Sequence, residues 1–403
     1  MPKTTQEPVI KRSFYKKERK KKRPVLKFGR VLGITLFCVF LTAVLVGLAA
    51  FWAVKDDLSQ SFLSDLSRRV TWQLRRRAQT SPDMIVFDGK ADNAYAPFRD
   101  GLAVLTVNRL VCYDATGKEV FSAERDFKNP CLQTSSRTLM AYNRGGGTFV
   151  LADDRAPILD IETERPIITA KLNRQGYAAL VTQGEGYKSV VWVYNSKGKL
   201  IYKYSSPDYY VIDVALSPDS SLLAVSCAGY GDNWVSGQIK LFSLAEETPK
   251  AVIGADGLVY EVYMPGSDKI SGIFENSISF WDANGVLLGQ ALFSGRELLD
   301  YSFTDSGIAA RSTRGVYGPG STLSMYDYGG SLLGAVSLNE EVICQSGGGG
   351  YVTLVTSGSI IVYDGRLRLQ SEEPNSTHVR QILQRDNGTM FLIYGDYAQL
   401  YSP

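Results

Sequence analysis

A single histidine, His378, stands in a chain of 403 residues, and that alone narrows the chemistry. One imidazole cannot build a multi-histidine metal site, and it leaves a nucleophile–histidine pair only one place to form. His378 follows Asn375-Ser376-Thr377 at the start of an expected strand and reads as a polar surface or channel residue. That triplet and Asn387-Gly388-Thr389 fit the N-glycosylation pattern, and both read as surface turns. Asp153, Asp154 and Asp160 form one group of carboxylates, and Asp208, Asp213 and Asp219 another; neither has calcium-loop spacing. Aspartate in short turns caps backbone amides, which is the role expected of them. Two carboxylates about 5–10 Å apart can cleave glycosides, and Asp213 with Asp300 is the pair that inner strands would offer.

Cys38, Cys112, Cys131, Cys227 and Cys344 show neither a CxxC pair nor a zinc pattern. They read as small buried hydrophobes; a Cys112–Cys131 bridge stays open, because both fall on strands of neighbouring repeats. The runs Gly145-Gly146-Gly147 and Gly347–Gly350 lack the Lys-Ser/Thr ending of a phosphate loop and read as turns or bulges. No cofactor or metal motif emerges.

What positions these residues is a repeating β unit, clearest over residues 189–226. Four apolar runs, VVWVY, LIYKY, YVIDVAL and LLAVS, are separated by NSKGK, SSPDY and SPDSS. β-branched and aromatic residues favour strands, while Asn, Gly, Pro, Asp and Ser in the gaps favour tight turns. Marker residues of the repeat are Tyr113, Ala152, Tyr194, Phe242, Trp281, Tyr326, Tyr363 and Tyr401, spaced by 39, 42, 48, 39, 45, 37 and 38. Repeats of about 40 residues mean a β-propeller. Eight markers predict an all-β, eight-bladed propeller over 82–403. Seven blades follow if 149–162, a degenerate copy, is an irregular insertion. The last marker ends the chain one strand short of a full blade. The spare run MIVFD (84–88) is expected to supply that strand and close the ring, which removes open sheet edges.

Three segments precede the propeller. Residues 1–30 carry twelve Lys/Arg against Glu7 and Glu18, a local charge of about +10, and leave a net of about −7 elsewhere. Residues 31–54 run for 24 positions without a charge, about 36 Å as a helix and enough to cross a ~30 Å hydrocarbon core. The run is too long and its end too bulky for a cleaved signal peptide. It is expected to be a single-pass transmembrane helix, with the basic tail holding the amino terminus in the cytoplasm. The tail reads as a topology signal, and its lysines and Arg23 leave lipid or nucleic-acid contact as alternatives; the expectation adopted is no nucleic-acid partner. Residues 55–81 read as a juxtamembrane helix or stalk, since Leu58, Phe62, Leu66, Val70 and Leu74 draw one apolar stripe.

The blades look WD40-like. Trp281-Asp282 stands where a WD dipeptide would, Tyr113-Asp114, Tyr326-Asp327 and Tyr363-Asp364 are variants, and residues 211–225 (VIDVALSPDSSLLAV) match an inner hairpin. The arrangement resembles a family of single-pass, membrane-anchored propellers of Gram-positive bacteria known only as a domain of unknown function. The resemblance implies fold and location and transfers no catalytic residue.

Aromatic residues cluster in loops that share one rim of such a propeller. Tyr187, Tyr209, Tyr210, Tyr230, Trp234, Arg314 and Tyr317 fall there, with Lys188. Tyr, Trp and Arg are enriched at binding hot spots, although the same rings can pack over neighbouring turns. The expected function is therefore a non-enzymatic, extracytoplasmic module that binds a protein or cell-envelope component while the bilayer holds residues 31–54. The alternative is an enzyme or sensor acting on a carbohydrate or small molecule in the central channel.

Overall fold

The computed structural model describes residues 84–89, 92–230, 235–255, 257–313, 320–375 and 378–402. The basic tail 1–30, the span 31–54 and the helix 55–81 lie outside the described residues, as do Trp234, Arg314 and Tyr317. Among the described residues no helix is long and apolar enough to cross a membrane.

Among the described residues, thirty-two strands form eight four-stranded antiparallel sheets arranged as propeller blades. Blade 1 holds β2 (Ala94–Phe98), β3 (Gly101–Leu105), β4 (Arg109–Tyr113) and β5 (Glu119–Glu124). Blades 2 to 7 follow in the same pattern, four consecutive strands each, starting at β6 (Pro130–Thr134), β10 (Ile167–Leu172), β14 (Tyr210–Leu216), β18 (Glu261–Tyr263), β22 (Leu298–Phe303) and β26 (Val342–Gly348). Blade 8 takes β30 (Gln381–Gln384), β31 (Met390–Ile393) and β32 (Tyr397–Tyr401), and its outermost strand is β1 (Met84–Val86). Ile85 pairs with Ala398 and Val86 with Tyr397. The ring therefore closes as the spare strand implied, and residues 149–162 form two regular strands of blade 2.

Burial explains why the runs read as continuously apolar instead of alternating. Each blade is covered on both faces by its neighbours, so every residue of an inner strand has an apolar contact to make. In β3, Ala103 and Leu105 pack toward blade 2 while Leu102 and Val104 pack toward blade 8. Eight such clusters lie one between each pair of adjacent blades; the cluster of Ile85, Leu102, Val104, Phe391 and Ala398 spans the closure.

All eight markers end, or lie within one residue of the end of, the third strand of a blade. In the seven blades built from consecutive strands, the register with the fourth strand shifts immediately before the marker, as at Phe280/Trp281 and Met325/Tyr326. A carboxylate or amide then caps the turn. Oδ1 of Asp282 accepts from the amides of Asn284 and Val286 at 2.9 and 2.8 Å, and Asp114, Asn195, Asp327 and Asp364 do the same in their blades. Such side-chain capping is the physical content of the WD-like dipeptides: the aromatic fills the inter-blade core, and the acid holds the reversal. Gly198 sits at φ 73 in one of these turns, where a Cβ would meet Ile158 O at 3.0 Å.

Two readings are corrected. Asn375 is buried, and its amide donates to Thr356 O at 2.9 Å while its oxygen accepts from the Val379 amide, so it is an internal strut and not a surface turn. Cys112, Cys131, Cys227 and Cys344 are free thiols. Cys112 belongs to the core between blades 1 and 2, whereas Cys131 packs on the core between blades 2 and 3, so the open Cys112–Cys131 bridge is not formed. Cys131 and Cys344 are only half-buried, unlike Cys112 and Cys227. Burial pushes the Cys112 and Cys227 thiols up to about 12, which makes them inert.

Candidate functional site

Antiparallel order fixes which loops share a face. Reversals between second and third strands, and connections from one blade to the next, emerge on one side of the ring, called the upper face. The capped turns between third and fourth strands emerge on the other. β11 (Ala178–Gln183) and β12 (Ser189–Tyr194) are joined on the upper face through Tyr187 and Lys188. β13 (Leu200–Ser206) leads into β14 there through Tyr209, with Tyr210 opening β14. β15 (Leu222–Tyr230) ends there at Tyr230 before β16 (Val235–Ser243). The four described rim aromatics thus lie on one face of blades 3 and 4.

They do not share one role. Tyr209 packs on the core between blades 3 and 4. Its ring covers Gly229 so closely that a Cβ there would come within 2.5 Å of it. Lys240 Nζ lies 4.7 Å from its centroid. Tyr209 is therefore a packing residue. Tyr187, Tyr210 and Tyr230 are presented to solvent, with 47%, 46% and 85% of their surface exposed. Lys188 Nζ stands 5.1 Å from the Tyr210 centroid and donates to its hydroxyl at 3.5 Å, a cation–π contact that pre-orders the ring.

The channel holds a network whose members come from four consecutive blades. Lys171 on β10 reaches Glu261 on β18 in a close ion pair and Asp213 on β14 at 3.6 Å. The hydroxyl of Tyr301 on β22 donates to the other Glu261 oxygen at 2.6 Å, and the Val262 amide donates to Asp213 at 3.1 Å. Burial opposes the charge on Lys171, but the carboxylates of Asp213 and Glu261 outweigh it and hold the ammonium above its ordinary value. Asp213 shares that ammonium with Glu261, so burial dominates its own balance and, with repulsion from Glu261, pushes it up to about 6. Burial followed by the Glu261 carboxylate pushes the Tyr301 phenol up.

Asp300 does not join this network. It accepts from the Tyr301 amide and stands 3.8 Å from Arg311. Asp213 and Asp300 are each assigned to a different cation, which argues against their acting as one acid–base pair. Among the described residues no group of three or more His, Cys, Asp or Glu is placed to hold a metal ion. Asp160 pairs with Arg125, Asp154 with Arg99, and Asp153 caps its own turn. Burial raises Asp219, but the hydroxyls of Ser217, Ser267 and Ser221 together with the Ser221 amide outweigh it and hold the carboxyl well below the usual carboxylate range. His378 is exposed at φ 57, and the glycine runs form the β7–β8 reversal (Leu139–Asn143 to Thr148–Ala152) and the end of β26.

The network carries a pH signature. The folded state holds the Asp213 proton up to about 6, against 3.8 for an ordinary aspartate, so between these values it binds more protons than the unfolded chain. Stability from this group is full below 3.8 and lost as pH rises through 6. Two pH units of displacement correspond to about 3 kcal/mol. Urea melts of wild type and Asp213→Asn from pH 4 to 8 should diverge by up to that order, with the wild type losing ground as pH rises. Parallel pH profiles would show that Asp213 titrates normally.

Lys171 and Glu261 escaped the sequence reading, because charge pairing across blades joins residues about 40 to 90 positions apart. Aligning the inner strands repeat by repeat would have placed Asp213, Glu261 and Asp300 at matching positions.

Residues 81–399 match a family of unknown function, DUF5711. The chain belongs to that family. Solved structures share its architecture at low identity. BamB from Moraxella catarrhalis is similar with TM-score 0.52 and 13% identity over 80% of this chain and 97% of its own. The C-terminal WD40 domain of Sif2 gives 0.55 and 14%, covering 80% and 99%. Chaetomium thermophilum Sqt1, bound to the N-terminus of ribosomal protein L10, gives 0.54 and 13%, covering 80% and 100%. These likenesses show that the chain has a β-propeller fold like theirs, and show the fold alone. No curated protein matches the sequence.

Proposed function

We propose that this chain is a membrane-anchored, extracytoplasmic β-propeller that binds a protein partner on the upper face of blades 3 and 4. One observation carries the reading: Tyr187, Tyr210 and Tyr230 are exposed on a single face beside Lys188, while Tyr209, from the same loops, is used in packing. Large rings left in water have hydrophobic area to bury and little rotamer entropy to lose, which suits a docking surface. Sqt1 bound to the N-terminus of ribosomal protein L10 shows a propeller of this architecture holding a protein segment. The anchor rests on the uncharged run 31–54 and the orientation on the twelve basic residues before it. Confinement to the membrane raises the effective concentration of partners held there. The channel carboxylates are neutralised by Lys171 and Arg311, which supports binding over catalysis.

The test is an in-cell crosslinking pull-down with the full-length chain, beside the variant Tyr187→Ala/Tyr210→Ala/Tyr230→Ala. A protein captured by the wild type and lost from the variant, at unchanged thermal stability, supports the reading. Equal capture by both removes this face from the mechanism. Capture of glycan or peptidoglycan fragments alone replaces the protein partner by an envelope component.

A further inference from the structure

The innermost strands share an irregularity. The register between first and second strands shifts between Ile167 and Thr169, between Val211 and Asp213, between Leu298 and Asp300, and between Val342 and Cys344. Each shift leaves one residue unpaired, and each time it is a large aliphatic: Ile168, Ile212, Leu299 and Ile343. In blade 5, Tyr260 stands immediately before Glu261 as Ile212 stands before Asp213, and its amide donates to Ile273 O, the residue that pairs with Glu261. Five consecutive blades, 3 to 7, therefore set a bulky apolar side chain near the upper end of the first strand. A bulge re-aims the residue it inserts, and on a first strand the open side is the channel mouth. Tyr260, Leu299 and Ile343 are each about half-exposed, while Ile168 and Ile212 are partly covered. Ile168 packs on the core between blades 3 and 4, whereas Ile212, Tyr260, Leu299 and Ile343 belong to none of the eight clusters.

Exposed acids outnumber exposed bases along the chain beside this collar. Glu297 precedes Leu298-Leu299, and Glu340 and Glu341 precede Val342-Ile343; all three are exposed. Asp300, directly after Leu299, accepts from the Tyr301 amide and stands 3.8 Å from Arg311, so it belongs to the channel pairs and not to this excess. On blades 6 and 7 the nearby cations along the chain are Arg296 and Arg311, while Lys171 is already engaged by Asp213 and Glu261. An apolar collar edged by this excess of exposed glutamates, Glu297, Glu340 and Glu341 against Arg296, repels anionic lipid and another copy of itself. It complements a chain segment in which aliphatic residues flank lysine or arginine.

We infer that the channel mouth is a second docking subsite, which takes a basic, aliphatic-flanked segment of the protein partner. The inference rests on the protein-binding reading above and names the chemistry of the segment. Leucines of the segment cover the collar, and its cations meet Glu297, Glu340 and Glu341 at the rim.

The probe is a fluorescein-labelled nonapeptide, Gly-Leu-Lys-Leu-Lys-Leu-Lys-Leu-Gly, titrated with the full-length chain and followed by anisotropy. Two control peptides carry Glu for Lys or Ser for Leu. The expected result is saturable binding of the leucine–lysine peptide only, weakened at least tenfold in Leu299→Ser/Ile343→Ser and in Glu297→Gln/Glu341→Gln. Rising salt should weaken it further. These four residues are outside the inter-blade cores, so melting temperatures should stay at the wild-type value and exclude unfolding as the cause. No binding, equal binding of the serine control, or unchanged affinity in the collar variant overturns the inference. The tyrosine variant separates the two readings. If it loses the crosslinked partner while the peptide never binds, the collar fails and the protein-binding reading stands.

Discussion

Lys171→Met is expected to destabilise the propeller by about 3–5 kcal/mol at neutral pH, the usual consequence of removing one partner from a buried ion pair. Among the described residues, the ammonium is the one cation that pairs with both Asp213 and Glu261. Methionine preserves most of the side-chain volume, so packing loss is minor and the deficit is electrostatic. Two neighbouring carboxylates would then share the channel wall with the Tyr301 hydroxyl and the Val262 and Val214 amides as donors but no ammonium between them. The loss should shrink in acid, because Asp213, already at about 6 with its lysine present, takes up a proton more readily without it. Chemical melts of the variant at pH 5 and pH 8 decide the matter. A pH-independent loss would assign the effect to packing; a loss below about 1 kcal/mol would mean that water replaces the ammonium.

The ring closure supplies the second large effect. Ile85 is the single fully buried residue of β1 and packs with Leu102 and Val104 of blade 1 and Phe391 and Ala398 of blade 8. Ile85→Ala should cost about 3 kcal/mol, within the range for emptying a core site of this size. Ile85→Asp should do worse, since a lone carboxylate cannot be buried there unpaired. Val86, on the same strand but exposed, is the control: Val86→Thr should change stability by less than about 0.5 kcal/mol. Because β1 holds both ends of the ring together, opening it frees an edge on blade 8. Ile85 variants should therefore lower the midpoint and expose blades 8 and 1 to proteolysis before the rest. Uniform loss of protection around the ring would show instead that the propeller unfolds as one unit.

The sequence by itself determined the architecture. Eight aromatic or small markers at near-40-residue spacing, Asp or Asn at the following turn, and a spare strand at 84–88 are local features. Each depends only on chain geometry within one blade or on counting strands, so periodicity reveals them. The rim placement of Tyr187, Tyr209, Tyr210 and Tyr230 followed from the same counting, because strand order alone decides which loops share a face. Only the tertiary structure divided those four. Tyr209 is drawn onto Gly229, whose missing side chain leaves room for a ring, whereas Tyr210, its neighbour in sequence, turns out to meet Lys188. The channel was equally illegible. Lys171, Asp213, Glu261 and Tyr301 belong to different repeats, and nothing local says that their side chains converge. The bulges that raise Leu299 and Ile343 are differences of one residue between paired strands, visible only once the pairing is known. Local chemistry wrote the blades, and closing them into a ring decided which side chains meet across its centre.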